Sequence, residues 1–246
     1  MFTSTGGTFT GTPEINTTYY TPCGANYMTF TSIDGEFTIN NDNTGKTWDG
    51  VIEYATDVNG TWTEWNGTST ISSVDRYLYM RGYGNSVITG VNEDNASAWR
   101  ITGSNVRCTG NIENLLDFLA VYRGEHPTIG EYCFKGLFSD CAALIEAPEL
   151  PSMALANNCY DEMFKNCTSL AAAPALPATT LAEACYEDMF LGCTSLVEPP
   201  ELPARTMETN CYCRMFSGCT ALSHTPALPA TTLAESCYNR MFNRCV

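Results

Sequence analysis

The chain has 246 residues, of which 44% are hydrophobic and 11% aromatic, and its formal net charge is −15 at pH 7. This length and composition indicate a globular protein of two modules and exclude a disordered chain. The negative charge would repel phosphate groups, which excludes nucleic acid as a partner, and no apolar stretch is long enough for insertion into a membrane.

Residues 1–25 are rich in Thr and Gly and weakly patterned, beginning MFTSTGGTFTGTPEINTTYY. They lack the basic start and the continuous apolar core of a secretory signal peptide, so no signal peptide is visible. Chain ends of this composition become ordered only when something holds them. We therefore expect an N-terminal arm that orders against a partner and joins the chain to a homo-oligomer or a larger assembly.

Residues 26–104 contain short runs in which apolar and polar residues alternate, among them YMTFTSI, VIEYAT and YLYMRGYG. Alternation with a period of two predicts half-buried β-strands. Two Asn-Gly pairs, at 59–60 and 66–67, are among the turn signals that separate the runs. This region is therefore predicted to be an all-β module, a sandwich or a barrel.

Residues 105–131 contain a change of period. In NIENLLDFLAVYRG, residues 111–124, apolar residues fall at helical spacing, with Asn111 as the N-cap and Gly124 as the stop signal. A repeat array needs an atypical element to cover its first exposed core. We predict that this helix is the N-terminal cap of the array that follows.

Residues 132–246 repeat one phrase every 26 residues. It reads Cys-Tyr-x-x-Met-Phe-x-x-Cys-Thr-Ser-Leu, then a short variable stretch, then Pro-x-Leu-Pro-Ala-Thr-Thr-Leu-Ala. The two cysteine positions recur as Cys133, Cys159, Cys185, Cys211 and Cys237, and as Cys141, Cys167, Cys193, Cys219 and Cys245. A unit of 26 residues lies within the range of leucine-rich repeats, about 20 to 29 residues, and predicts a solenoid.

The repeats resemble the BspA-like leucine-rich repeats in the pieces MFKNCTSL, MFLGCTSL and MFSGCTAL and in Leu-Pro pairs that end at 151, 177, 203 and 229. The resemblance covers residues 132–246. It departs from the family at Cys185 and its equivalents, where Ile is frequent, and in an added Pro before the Leu-Pro. WTEWNGTSTISS and SNVRCTGNIENLLDF are similar to segments that precede such repeats in surface proteins of anaerobic gut bacteria and their phages. The resemblance implies a leucine-rich-repeat solenoid and extracellular adhesion or ligand binding.

Three roles are open for the cysteines: packing, disulfide bonding and metal binding. On a helix, Cys185 and Cys193 would lie about 12 Å apart, whereas the Cα atoms of a disulfide approach to about 4.4 to 6.8 Å. Bridges between neighbouring units stay open, but no closely spaced cysteine or histidine pairs favour zinc. We favour reduced cysteines that pack in the core. Cys213, which lies outside the repeat register, is the best candidate for an exposed thiol.

Catalytic motifs are not found in the sequence. His126 and His224 are its two histidines, and no nucleophile elbow, metalloprotease motif or phosphate-binding loop accompanies them. We interpret His126 as structural and His224 as a surface residue within reach of a ligand. We therefore expect no enzymatic activity, no metal and no cofactor.

The stretch between the repeated Leu and Leu-Pro varies among the copies, which read LIEAPEL, LAAAPAL, LVEPPEL and LSHTPAL. Positions that vary within one chain are free of the packing constraint that fixes the leucines, and stacking would place them on one face. The candidate ligand-binding residues, here called the repeat surface, are Ile145, Glu146, Glu149, Val197, Glu198, Glu201, Ser223 and His224.

We thus expect a non-catalytic recognition or adhesion protein that presents this surface to an extracellular protein or glycan receptor, on a bacterial cell surface or a phage virion. Aromatic residues such as Trp62, Trp65 and Tyr83 offer a second way to bind sugars, by stacking. The alternative is a structural component of a virion or surface assembly, anchored by the N-terminal arm. The last repeat carries no polar cap, which also favours association through that end.

Overall fold

The computed structural model describes residues 27–43, 45–90, 92 and 96–245. The predicted N-terminal arm lies outside these residues. The described residues form nine β-strands and one α-helix: β1 (Met28–Ser32), β2 (Thr38–Asn41), β3 (Val51–Ala55), β4 (Thr63–Glu64), β5 (Ile71–Ser72), β6 (Tyr77–Tyr83), β7 (Trp99–Thr102), β8 (Val106–Thr109), α1 (Asn114–Tyr122) and β9 (Leu144–Glu146).

The strands form two sheets. The larger has six strands in the order β4-β3-β6-β1-β8-β9, and the smaller has three in the order β5-β2-β7. In the larger sheet, β1 lies antiparallel between β6 and β8, so that Phe30 is opposite Leu78 on one side and Cys108 on the other. β9 comes from the repeat region and pairs with β8 in parallel. The repeat region is therefore joined to the β module through a shared sheet.

Alternation along the strands decides what is buried. Met28, Phe30, Leu78 and Met80 point inward and are fully buried. The Phe30 ring lies 6.5 Å from that of Phe37, which precedes β2, so the two sheets share one core. The residues between them on β1 and β6 point to the opposite, outer face of the larger sheet.

The prediction of a helical cap is wrong, because α1 packs against β6 of the larger sheet. Its carbonyl at Leu115 approaches β6 so closely that a side chain at Gly82 would collide with it. The helix is also shorter than predicted, and Asp117 within it is extended (φ −152°, ψ 100°), its carboxylate accepting a hydrogen bond from the Ala120 N–H at 3.0 Å. No helix among the described residues has the length and hydrophobicity needed to span a membrane.

The predicted leucine-rich-repeat solenoid is also wrong. The described chain is mostly β, with two sheets and one short helix, and its repeat region has neither helices nor a ladder of strands. β9 is the one strand found there, and the later units contribute isolated bridges such as Ala172 with Glu198. The Pro-x-Leu-Pro sequence that follows each variable stretch restricts strand pairing, since Pro cannot donate to a ladder.

Where a repeated helix was expected, each unit contains ten residues of consecutive turns, at 131–140, 157–166, 183–192, 209–218 and 235–244. A helix requires negative φ at every residue. In these turn segments φ is positive at every fourth residue, as at Asn158 (56°), Glu162 (56°) and Asn166 (57°). The helical interpretation of the Cys-x-x-x-Met-Phe-x-x-Cys spacing fails for this reason.

The backbone N–H groups of the turn segments alternate between two kinds of acceptor. The Asp161 N–H donates to the Asn158 carbonyl at 3.2 Å, within its own segment. The next N–H, of Glu162, donates to the Glu187 carbonyl at 2.9 Å, in the following unit. Neighbouring units are therefore held together by backbone hydrogen bonds between residues 25 positions apart.

The first unit rests on the β module. The N–H groups of Ile88, Trp99 and Val106 donate to carbonyls of the first unit at 2.8 to 2.9 Å. These strand and loop residues occupy the place that a preceding unit would take. The covering role assigned to the helix is thus performed by the β module.

Candidate binding surface

Seven of the eight residues of the repeat surface are exposed, and Ile145 is half-buried. Those of the first unit lie apart from the others, because the Ala-rich second unit intervenes. Ile145 and Glu146 belong to β9, and Glu149 pairs with Asn111 in a parallel bridge. The structure therefore separates the predicted set into a group on the first unit and a group on the third and fourth units.

The second group is compact. The Ser223 N–H donates to the Val197 carbonyl at 2.9 Å, which places the two variable stretches side by side. The Ser223 hydroxyl lies 2.9 Å from His224 Nδ1 and 3.3 Å from Glu198 Oε1, and His224 Nδ1 lies 3.5 Å from Glu198 Oε2. Val197 is 41% exposed beside this polar group. This exposed patch thus presents an acidic, a basic, a hydroxyl and an apolar side chain next to one another.

A groove of about 450 Å³ adjoins this patch. Its two walls come from the same stretch of adjacent units, and the lining residues are Pro199, Pro200, Glu201, Leu202, Pro203, His224, Thr225, Pro226, Ala227 and Pro229. Sequence reasoning found Glu201 and His224 but missed the prolines, which it noted only as an addition before the Leu-Pro. Their recurrence before and after each Leu was the available signal.

The prolines make the groove rigid. Each pyrrolidine ring fixes its own φ, so these walls lose little conformational entropy when a ligand binds. The groove offers apolar ring surfaces, with the Glu201 carboxylate and the His224 imidazole as polar groups. It can hold an extended ligand that has an apolar side and hydrogen-bonding groups.

The repeated cysteines form two rows, which are buried except at the half-buried Cys245. Members of the second row donate their thiol to the Phe carbonyl 29 residues earlier: Cys167 to Phe138 at 3.0 Å, and Cys193 to Phe164 at 3.0 Å. Twelve cysteines among the described residues are free. The second-row thiols from Cys167 onward therefore each satisfy a Phe carbonyl of the preceding unit.

Burial raises the pKa of these thiols. The pKa of Cys141 rises to about 11 and that of Cys159 to about 12, in both cases mainly because burial penalises the thiolate. At neutral pH the sulfur atoms are protonated, and a protonated thiol is a poor nucleophile and metal ligand. Within the described ranges, no group of three or more His, Cys, Asp and Glu side chains is placed to hold a metal ion.

Cys213 is buried, so its prediction as an exposed thiol is wrong. Only 2% of the residue is accessible, and desolvation raises its pKa to about 11. The residue falls in the turn segment 209–218, where its carbonyl accepts a hydrogen bond from the Asp188 N–H at 3.0 Å. Side chains outside the cysteine register are thus also enclosed by the neighbouring unit.

A second polar cluster lies at the junction of α1 with the first repeats. Glu113 is fully buried, and its carboxylate meets His126 Nδ1 at 2.8 Å and accepts a hydrogen bond from the Ser152 hydroxyl. The Tyr160 hydroxyl donates to Ser152 Oγ at 3.4 Å. A hollow of about 270 Å³ opens beside Glu113 and His126. The cluster ties loop 124–130 to the repeats, in keeping with the structural role expected for His126.

The aromatic residues suggested for sugar stacking are engaged elsewhere. Trp65 is fully buried, with its ring 5.0 Å from Trp48 and 5.1 Å from Trp99. Trp62 lies over the Arg81 guanidinium at 3.9 Å, and Tyr83 lies 5.5 Å from the same group. These rings stabilise the module, and sugar stacking would require other aromatic side chains.

Comparisons with protein families, with curated proteins and with solved structures found no match to this chain. The resemblance to the BspA-like repeats therefore stays a prediction. The function has to be argued from the surface and the groove themselves.

Proposed function

We propose that the protein is a non-catalytic recognition or adhesion protein that binds an extracellular protein or glycan through the repeat surface, on a bacterial cell surface or a phage virion. One observation carries the proposal: the variable residues Val197, Glu198, Ser223 and His224 form a single exposed patch beside a rigid, proline-lined groove. Residues that vary between copies and remain exposed are free to serve recognition, since the core does not constrain them.

The chemistry of the patch supports binding rather than catalysis. Its titratable groups are solvent-exposed, with 57% of the His224 side chain and 65% of the Glu198 side chain accessible. A catalytic acid or base usually lies in an enclosed site that alters its pKa. An exposed set of mixed polar groups beside apolar rings is typical of the rim and centre of a binding surface.

The test is binding of the fluorescently labelled full chain to intact cells of anaerobic gut bacteria and to an array of glycans. The variant Glu198→Lys/His224→Ala should lose at least about tenfold in apparent affinity for whichever surface binds the wild type, since both changes fall on the patch. Glu183→Lys is the matched control, because it makes the same charge change at an exposed position outside the repeat surface.

Equal binding by the patch variant and the control would contradict the proposal. The alternative function, a structural component anchored by residues 1–25, stays a prediction, since those residues lie outside the described part of the chain. It predicts an assembly whose formation depends on the arm and not on Glu198 or His224.

A further inference from the structure

The described residues cover only part of the outer face of the larger sheet. Around Tyr27 and Arg81 it lies beneath α1 and Trp62, with the Phe118 ring stacked 4.8 Å from that of Tyr27. Farther along β6 the face is accessible: Tyr77 is 47% exposed and Tyr79 is half-buried. This accessible part is here called the open sheet face. It shares one residue, Glu146, with the repeat surface.

Strand register determines which side chains share the open sheet face. Directly opposed residues in a sheet point to the same side, and every second residue along a strand does so too. The register gives two rows on this side, Tyr77–Thr31–Arg107–Glu146 and Tyr79–Thr29–Thr109. An aromatic pair thus stands at one end, hydroxyl groups lie in the middle and a charged pair stands at the other end.

The aromatic end consists of two stacked rings. The rings of Tyr77 and Tyr79 have centroids 6.2 Å apart and planes only 9° from parallel. Val74, which is 52% exposed, pairs with Tyr77 across a tight turn and extends the apolar area. Clustered exposed apolar side chains of this kind mark an interaction site more often than isolated ones do.

The polar end supplies donors and acceptors. Arg107 Nη1 lies 3.6 Å from Glu146 Oε2, and both side chains are about half exposed, so each retains hydrogen-bonding groups that face solvent. A hollow of about 380 Å³ beside Tyr77 adds Thr31 and Asp75 to its lining. The three strand spacings from β6 to β9 make this polar and aromatic strip about 14 Å wide.

We propose that the open sheet face binds a neutral oligosaccharide of pyranose units, whose ring faces pack on Tyr77 and Tyr79 while its hydroxyl groups bond to Thr31, Arg107 and Glu146. A pyranose has an apolar C–H face and a rim of hydroxyl groups, and this strip offers the matching surfaces in the same order. A net charge of −15 favours a neutral glycan over an anionic one.

The experiment titrates the full chain with maltohexaose, cellohexaose and mannohexaose by isothermal titration calorimetry, with oligogalacturonate as the anionic comparison. At least one neutral hexaose should bind. Tyr77→Ala and Tyr79→Ala should each weaken that binding about tenfold, whereas Tyr77→Phe should retain it, because the ring provides the platform. Thr31→Val, which replaces the hydroxyl by a methyl group of similar size, should weaken it about threefold.

Tyr122→Ala is the matched control, since it removes a tyrosine that is 54% exposed on α1. The proposal is overturned if no neutral hexaose binds, if oligogalacturonate alone binds, or if a Tyr77→Ala/Tyr79→Ala variant with wild-type thermal unfolding binds as well as the control. Glu198→Lys/His224→Ala should leave hexaose binding unchanged. The failure of this site and the failure of the repeat surface are therefore distinguishable.

Discussion

Single buried polar residues hold the junction between the β module and the repeats. Glu113 is the clearest case, because both carboxylate oxygens have partners, His126 on one and Ser152 on the other. A carboxylate enclosed without such partners would cost several kcal/mol in desolvation. The sequence did not reveal this cluster, since Glu113 and Ser152 are 39 positions apart.

Replacing Glu113 by Ala should destabilise the protein by about 2 kcal/mol, because Ser152 stays buried without its acceptor. The measurement is the free energy of unfolding in urea at pH 7. Glu125→Ala, in the exposed part of the adjoining loop, should change it by less than about 0.5 kcal/mol. Equal effects of the two substitutions would show that the buried carboxylate contributes no more to the free energy of unfolding than an exposed one does.

The buried thiols make stability depend on alkaline pH. In the unfolded chain a thiol has a pKa of about 8.5, whereas burial raises the pKa of Cys141 to about 11 and of Cys159 to about 12. Their contribution is therefore complete below about pH 8.5 and is lost as pH rises towards the folded values. We expect the free energy of unfolding to fall between pH 8.5 and 9.5, approaching about 1.4 kcal/mol per pH unit for each such thiol.

Urea unfolding at several pH values measures this slope. Removing one thiol, as in Cys159→Ala, should reduce the slope by one thiol's share while lowering stability at pH 7. A free energy of unfolding that does not change between pH 8.5 and 9.5 would contradict protonated, buried thiols in the folded state.

At the scale of elements, close backbone approach decides what the helix covers. α1 can lie on β6 only because residue 82 is glycine, since any Cβ there would meet the Leu115 carbonyl. The Asn85 side chain reinforces this contact, donating to the same carbonyl at 2.8 Å. The periodicity of residues 111–124 indicated an amphipathic helix but contained no information about which surface it would cover.

Gly82→Ala should lower the free energy of unfolding by more than about 2 kcal/mol, because the helix must move away from the sheet or the strand must distort. Gly35→Ala is the control, since a Cβ at Gly35 meets nothing within 4 Å. Chemical denaturation of both variants tests the contact. A loss at Gly82 no larger than at Gly35 would mean that α1 does not sit on β6 as described.

The turn segments illustrate how tertiary bonds override a local pattern. The spacing of Leu181, Cys185, Met189 and Cys193 fits a helix, yet these residues alternate with positions of positive φ such as Ala184 (50°) and Asp188 (51°). Non-glycine residues adopt such angles only when the surroundings stabilise them. Here the Asp188 N–H reaches the Cys213 carbonyl at 3.0 Å, a bond that no local propensity can predict.

On the scale of the whole molecule, the β module and the repeats share one core. Trp99 connects them: its N–H donates to the Leu137 carbonyl at 2.8 Å, and its own carbonyl accepts the Cys141 thiol at 2.9 Å. Phe138 makes the equivalent contact with the second unit, where its carbonyl accepts a hydrogen bond from the Cys167 thiol. The two regions should therefore unfold together.

Trp99→Ala should destabilise both regions in a single transition, by about 3 to 5 kcal/mol. Far-ultraviolet circular dichroism and the exposure of cysteine thiols, which reports mainly on the repeats, should give coincident midpoints. Trp62→Ala, at a half-buried ring on the outer face, should cost less. Two separate transitions in the wild type would contradict a shared core.

The sequence by itself determined the 26-residue period, the alternation in the β module and, apart from the half-buried Ile145, which residues of the repeat surface are exposed. These properties follow from local spacing of apolar and polar residues, which burial enforces copy by copy. The enclosure of the cysteines was favoured for the same reason.

Only the tertiary structure decided that the repeats form turns rather than helices, that strands rather than α1 support the first unit, and that tyrosines of β6 occupy an accessible sheet face. Each depends on partners distant in sequence: carbonyls 25 residues away for the turns, residues 88–106 for the first unit, and the placement of α1 for the sheet face. Hydrogen bonds and contacts between residues far apart in the chain leave no periodic pattern in the sequence. The sequence patterns therefore could not predict them.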